Sequence, residues 1–246
     1  MLENRHIVLY VKGAGKPEYE MTRARIFNNW PERYDRWFTT PIGKLVREYE
    51  KELIVSLLKP KKGEKILDAG CGTGVFTDDI LKQGTLVSGV DISFPMLARA
   101  EEKLKSYQFF PALGTMICLP FAENTFDKAV SITALEFIKD GGKAVSELFR
   151  VTKKGGSILV ATLNSLSPWA AQRSEKAKKG QSALFEKVIF RSPDELNALA
   201  PFDGVTETAI HFEKEDTPDH ARKIEVQGRS KDLNTGAFLV ALWEKR

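Results

Sequence analysis

The sequence predicts a doubly wound α/β fold around a mostly parallel sheet, on three observations. Short apolar runs alternate with helical segments between residues 65 and 162, a glycine-rich turn ("GCGTG") follows the first run directly, and each helical segment carries one apolar stripe. Alternation of this kind marks parallel strands joined by crossover helices. A one-sided stripe suits a helix that covers one face of a sheet.

The elements follow in order. "TTPIGKLVREYEKELIVSLLKP" offers Thr40 as N-cap and Pro41 at the first helical position, with Ile42, Leu45, Val46, Tyr49, Leu53 and Leu57 at helical spacing and Pro60 as the stop. Strands are predicted near Lys65 to Asp68, Thr85 to Val90, Phe109 to Leu113, Lys128 to Thr133 and Ser157 to Thr162. Helices are predicted around Val75 to Lys82, Pro95 to Lys105 and Gly142 to Val151, the last with Ala144, Val145, Leu148 and Phe149 on one side. From Asn164 to Lys187 the composition shifts to Ser, Ala, Lys and Gln around Trp169, which reads as an insertion with a helix. "RSPDEL" restarts order with a capping box between Ser192 and Glu195. "GVTETAIHF" and "GAFLVALWEK", separated by a charged segment from Glu213 to Asp232, read as an antiparallel pair at a sheet edge. The expected organisation is one domain: a helical cap over residues 1–60, then a core over residues 61–246 with an insertion at about 164–190.

Composition narrows the function classes. The 246 residues are enough for a substantial core. At 42% hydrophobic and 28% charged they match globular averages. No apolar run approaches the roughly 18 residues of a membrane span, and the N-terminal apolar stretch is too short for a signal peptide, so a cytoplasmic protein without a membrane span is expected. Cys71 and Cys118 are too few for a disulfide framework or a zinc site. A net charge of +4, with basic and acidic residues interleaved, argues against a nucleic-acid partner. The run "RSEKAKKGQ" reads as a solvated helix face.

The glycine turn carries the chemistry. Ligands of open α/β sheets bind beyond the carboxyl ends of the strands. Gly70, Gly72 and Gly74 would take φ > 0 and bring backbone N–H groups against a ligand, and the helix that follows favours an anionic group at its N-terminus. Asp91, ending the next run, could accept both hydroxyls of a ribose. A dinucleotide fingerprint would need Gly or Ala where Val75 stands, and a phosphate-binding P-loop would need a lysine that is missing here.

The order of "KILDAGCGTG", "VSGVDIS", "LPFAENTFDKAVSITALEFIKD", "AVSELFRVTKKGGSILVATLN" and "FRSPDEL" resembles class I S-adenosylmethionine-dependent methyltransferases, in particular the small-molecule branch that includes quinone-biosynthesis C-methyltransferases, over roughly residues 33 to 200. The resemblance implies a Rossmann-like, seven-stranded, mostly parallel sheet with a helical N-terminal cap and an inserted lid. It implies S-adenosylmethionine as cofactor and a small-molecule methyl acceptor as partner. Asp68, Gly70, Cys71, Gly72 and Gly74 would hold the methionine end, Asp91 the ribose, and Ile92 would pack on the adenine. Thr115 and Met116 stand where relatives have Asp-Ala before "LPF", so the usual acid for the adenine amino group is replaced by a hydroxyl. Thr133 and Ala134 would lie near the transferable methyl. Tyr34, in "YDRWFTTPIGKLV", would reach the methionine carboxylate or the sulfonium. The plainer reading of Tyr34, Trp37 and Phe38 is a stripe that packs the N-terminal helix down.

Methyl transfer is an in-line displacement, so the protein mainly aligns a nucleophile and excludes water. Glu136, two residues past Ala134, is the candidate base if the acceptor is protonated; the competing reading is an acid in a helix first turn. His211 reads as a packed or edge histidine in a strand, and His6 and His220 carry less. Cys71 doubles as a small filler. Trp169 and Arg173 form a substrate lid or anchor the insertion to the core. No Asp-Pro-Pro-Tyr or Asn-Pro-Pro-Tyr follows the fourth strand, which argues against base or amide methylation. A macromolecular methyltransferase, a non-catalytic cofactor-binding regulatory protein and a nicotinamide-dependent oxidoreductase are the alternatives. The atom methylated and the oligomeric state stay open at this level.

Overall fold

The structure, a computed structural model, describes residues 8–9, 27–28, 30–181 and 185–246. The elements are β1 (Val8–Leu9), α1 (Pro31–Trp37), α2 (Pro41–Leu58), β2 (Lys65–Ala69), α3 (Val75–Leu81), β3 (Leu86–Asp91), α4 (Phe94–Leu104), β4 (Phe109–Leu113), β5 (Phe126–Ile132), α5 (Gly141–Val151), β6 (Thr152–Leu163), α6 (Pro168–Lys178), α7 (Pro193–Asn197), β7 (Val205–Ala209), α8 (Pro218–Ser230) and β8 (Phe238–Glu244). The strands form one sheet in the order β1-β4-β3-β2-β5-β6-β8-β7. Among the described strands only the pairings of β8 are antiparallel, with β6 and β7 on its two sides.

The seven expected strands are β2 to β8. An eighth, β1, is added by two residues that pair Val8 with Ala112 and Leu9 with Leu113 along the otherwise open edge of β4. Three local expectations need correction. β6 begins at Thr152, because the chain leaves α5 straight into the strand. The charged segment between the last two strands holds a helix, α8, whose Ala221, Glu225 and Gly228 are buried. His211 lies beyond β7, which stops at Ala209 just before Ile210 turns to φ 68.

Caps fix the helix starts. Thr40 accepts the Gly43 N–H at 3.1 Å, with Pro41 at the first position. Ser192 and Glu195 exchange the two hydrogen bonds of the capping box at 2.7 and 3.2 Å. Alternation along the strands splits the core into two layers. Ile66 and Val130 join the layer of Leu45, Leu53, Ile54, Ile80 and Leu97 from α2, α3 and α4, whereas Leu67 and Ala129 join that of Val145 and Leu148 from α5. Among the described residues no helix is long and apolar enough to cross a membrane.

The sheet order also locates the site. From β2 the chain runs outward through β3 to β4, then returns to β5 on the other side of β2. The carboxyl ends of β2 and β5 therefore diverge into helices on opposite faces, which leaves a crevice.

Candidate active site

A cavity of about 650 Å³ opens at that switch point, walled by the turns after β2, β3, β4 and β5 and by side chains from α1, α2 and α6. This is the size of a site for a drug-sized ligand.

The turn after β2 takes positive φ at all three glycines, 82° at Gly70, 55° at Gly72 and 75° at Gly74. At Gly70 a Cβ would lie 2.3 Å from the Ala134 Cβ, so glycine lets the ends of β2 and β5 approach. Gly74 does not line the cavity; a Cβ there would meet Leu104 Cδ1 at 2.7 Å, so this glycine serves the packing of α3 on α4. The expectation that the loop amides face a ligand is corrected in a further respect. Gly70 and Cys71 both donate to the Val90 carbonyl, at 2.7 and 3.0 Å, Gly72 donates to Asp91 Oδ2 at 2.9 Å, and Gly74 donates to the Cys71 carbonyl at 2.9 Å. The first three of these N–H groups lock the loop onto β3 and the Gly74 N–H closes the loop on itself, so the loop contributes shape and side-chain oxygens to the cavity.

The oxygens belong to Asp68 and Asp91. Asp68 is 2% exposed; its Oδ2 accepts the Thr77 hydroxyl at 2.6 Å while Oδ1 is buried with no partner among the described residues. Burial, with the Asp91 charge adding to it, pushes the Asp68 carboxyl up to about 7. Asp91 accepts Gly72 N on one oxygen and Ser93 N, at 2.8 Å, on the other, and burial lifts it to about 6 against those donors. Each carboxylate oxygen of Asp91 keeps a second lone pair for a ligand hydroxyl.

Ile92, Thr115 and Met116 line the same cavity. The Thr115 hydroxyl oxygen accepts the Ile117 N–H at 3.4 Å, within a turn closed by the bridge to Cys118. Cys71 also lines it, and burial pushes its thiol well above the ordinary range. Its sulfur packs where a Cβ on Gly89 would come within 2.9 Å, which is a filler's position.

Opposite the glycine loop, Thr133 holds φ 48, uncommon for a β-branched residue, while its N–H donates to the Ala161 carbonyl at 2.9 Å. Burial pushes the Tyr34 phenol up, against the pull of the Thr133 hydroxyl. Tyr34 stacks edge-on against Phe38, which does the same against Phe76. Tyr34 thus lines the cavity and also packs α1 down. Its neighbour Asp35 secures α1 to the loop: it accepts the Thr73 hydroxyl at 2.7 Å and pairs with Lys103 at 2.8 Å and Arg99 at 3.2 Å.

Glu136 sits in the first and only turn of a 3-10 helix, Leu135–Phe137, rather than at the start of an α-helix. It is 1% exposed, accepts the Thr162 hydroxyl at 3.2 Å, and is lifted to about 7 by burial against the pull of Thr162, Arg173 and Arg191. From α6, Trp169 and Arg173 line the cavity, the guanidinium lying over the Trp169 and Phe185 rings. Trp169 is also anchored, donating to the Phe212 carbonyl at 2.7 Å. The sequence reading missed Glu50 of α2, which lines the cavity at 8% exposure. The signal was available, since Glu50 falls four residues after Val46 and three before Leu53 in the apolar stripe. His211 lies elsewhere, its ring held by Glu225 at 3.1 Å, and His220 pairs with Asp216 on the surface. His6 falls outside the described residues.

Residues 67–160 match the methyltransferase domain family. A malonyl-[acyl-carrier protein] O-methyltransferase of Erwinia billingiae is 31% identical over 161 residues, 65% of this chain and 59% of that protein. A demethylmenaquinone methyltransferase of Corynebacterium kroppenstedtii is 35% identical over 143 residues, 58% of this chain and 60% of that one. The chain therefore spans about six tenths of the length of these curated relatives. A solved structure from Thermotoga maritima, described as an S-adenosylmethionine-dependent methyltransferase and possible histamine N-methyltransferase, superposes with a TM-score of 0.67 at 23% identity, covering 90% of this chain and 99% of that one.

Proposed function

We propose that this chain is a class I S-adenosylmethionine-dependent methyltransferase that transfers a methyl group from S-adenosylmethionine to a small-molecule acceptor by in-line displacement. The observation that carries this reading is the pair of buried carboxyls on adjacent strands, Asp68 with an unpartnered Oδ1 and Asp91 bound to Gly72, which share one cavity with Glu136 and Tyr34. An orphaned carboxyl oxygen deep in a wall is costly unless a donor reaches it, and the cofactor's α-amino group is such a donor.

Bound there, S-adenosylmethionine supplies a methyl group on a sulfonium, an electrophile that needs no further activation. Asp68 Oδ1 would hold the α-amino group, Asp91 the ribose hydroxyls, and Ile92 and Met116 the adenine faces. The Gly70 approach to Ala134 removes side-chain bulk from the methyl end. Tyr34 and Thr133 close that end, and the α1 helix, held by Asp35, covers it against water. Glu136, with a carboxyl lifted toward neutral pH, is matched to take a proton from the acceptor.

The test is a calorimetric titration with S-adenosylmethionine and with S-adenosylhomocysteine, followed by mass spectrometry of small-molecule acceptors incubated with labelled cofactor. Saturable binding of both, and label in a small molecule, are expected. Absence of binding overturns the reading.

A further inference from the structure

Cations gather at the opening of the cavity, and aromatic rings rather than carboxylates hold them. Arg33, Arg173, Lys176 and Lys214 line the cavity, and among the described residues no carboxylate lies within ion-pair distance of any of the four. Arg33 lies over the Trp30 ring at 4.6 Å, Lys214 over Trp37 at 4.9 Å, and Arg173 over Trp169 and Phe185 at 5.0 and 5.1 Å. A ring face orients a cation without cancelling its charge.

The packing joins these cations into one group. Trp37 follows Arg33 by one turn on α1 and takes Lys214 on its face. Just before Lys214, the Phe212 carbonyl accepts Trp169 Nε1 of α6 at 2.7 Å, and the Glu213 carboxylate accepts Gln172 Nε2 at 3.4 Å. Lys176 comes one turn after Arg173 on the same side of α6. The acids are placed differently. Glu50 and Glu136, at 8% and 1% exposure, lie within the wall and act on Arg173 from there. Asp140, at the opening, is spent capping α5, where it accepts the Lys143 N–H at 2.9 Å, and Glu175 pairs with Lys179. Arg33, Lys176 and Lys214 stand exposed at the rim.

Resting on the methyl-transfer reading and naming its acceptor class, we propose that the acceptor carries an anionic group, a carboxylate or a phosphate, on an apolar body. The anion docks on Lys176 and Lys214, with Arg33 and Arg173 beside them, through charge-assisted hydrogen bonds. The body lies against Trp37, Trp169 and Phe185, whose flat faces bury apolar surface. Charge at the rim and acids within the wall orient the molecule, so that its uncharged end points inward.

The experiment is calorimetry on the full chain saturated with S-adenosylhomocysteine, using hydrocinnamate, phenethyl phosphate, phenethyl alcohol and phenethylamine as probes that share one apolar body. The carboxylate, the phosphate or both are expected to bind at least about fivefold more tightly than the alcohol, and the tighter of the two names the group. Raising the salt from about 50 to 300 mM is expected to shrink that gain. The double variant Lys176→Gln, Lys214→Gln changes only exposed side chains. It is expected to remove most of the gain while leaving the affinities for the alcohol and for S-adenosylhomocysteine within about twofold. Anions that bind no better than the alcohol, a preference for the amine, or an unchanged anion affinity in the double variant overturns the proposal. A loss of S-adenosylhomocysteine affinity in that variant overturns it as well, because the cations would then serve the cofactor's own carboxylate. Titration of the unaltered chain with S-adenosylhomocysteine reports on the methyl-transfer reading by itself, so the two failures are distinguishable.

Discussion

Asp91 Oδ2 accepts the Gly72 backbone N–H at 2.9 Å, so the carboxylate that ends β3 also sets the shape of the glycine loop that follows β2. Two neighbouring strands are thereby coupled at the point where a nucleoside would lie. Asp91→Ala removes the ribose acceptor and frees the loop together. S-adenosylmethionine affinity is expected to fall by about 1.5 to 3 kcal/mol. Calorimetry checks this, and an unchanged affinity refutes the ribose role.

Gly70 and Gly72 are expected to differ when changed to alanine. At Gly70 the added methyl meets Ala134 at 2.3 Å on a backbone already at φ 82, so a stability loss of about 2 to 4 kcal/mol is expected. At Gly72 nothing among the described residues lies within 4 Å, and only the cost of positive φ, about 1 to 2 kcal/mol, remains. Urea denaturation of both variants gives the comparison.

Cofactor affinity should depend on pH through Asp68, lifted to about 7, and Asp91, lifted to about 6. Both must be ionised to accept a hydrogen bond from an ammonium or a pair of hydroxyls. Affinity is expected to rise on the order of tenfold between pH 6 and pH 8, with proton release visible as a buffer-dependent heat. Stability of the free protein runs the other way. Carboxyls whose folded values are raised contribute stability that is complete below the unfolded value near 4 and is lost as pH rises from there through the folded values of about 6 and 7. Thermal scans of free and cofactor-bound protein at both pH values separate the two trends.

Glu136→Gln keeps the size of the side chain and can still accept from Thr162. If Glu136 takes the acceptor's proton, the maximal rate falls by about 10² to 10⁴ and the limb of the pH–rate profile near 7 disappears. S-adenosylhomocysteine affinity should stay within about twofold, because the cofactor contacts are elsewhere.

Asp35→Asn tests the cap. The partly exposed pairs with Arg99 and Lys103 contribute little stability, on the order of 1 kcal/mol or less. The same carboxylate joins α1 to Thr73 of the glycine loop, so dissociation of S-adenosylhomocysteine is expected to quicken severalfold. Stopped-flow displacement measures it; an unchanged rate means that α1 does not gate the cavity.

The parallel strands were legible because their periodicity is local: burial on both faces writes continuous apolar runs such as that at Ile66 and Leu67. Helix starts were legible for the same reason, since Thr40 and Ser192 cap through atoms three residues away. The two-residue strand β1 and the helix α8 were not. A strand of two residues has no period to detect, and α8 is polar around most of its surface. Asp68 and Asp91 were found because each ends a strand beside a glycine turn. Glu50 was passed over because a single acid in an apolar stripe has many structural explanations.

Residue order alone determined the doubly wound sheet, the positive-φ turn after its first long strand and the two carboxylates beside it, because each depends on spacing within a few residues. Only the tertiary structure decided that the loop amides are spent on Val90 and Asp91, that Gly74 faces α4, and that Glu50, Glu136 and Arg173 share one wall. Those three side chains come from α2, the turn after β5 and α6, and their proximity follows from how helices pack across a sheet, a long-range fact that no local pattern encodes.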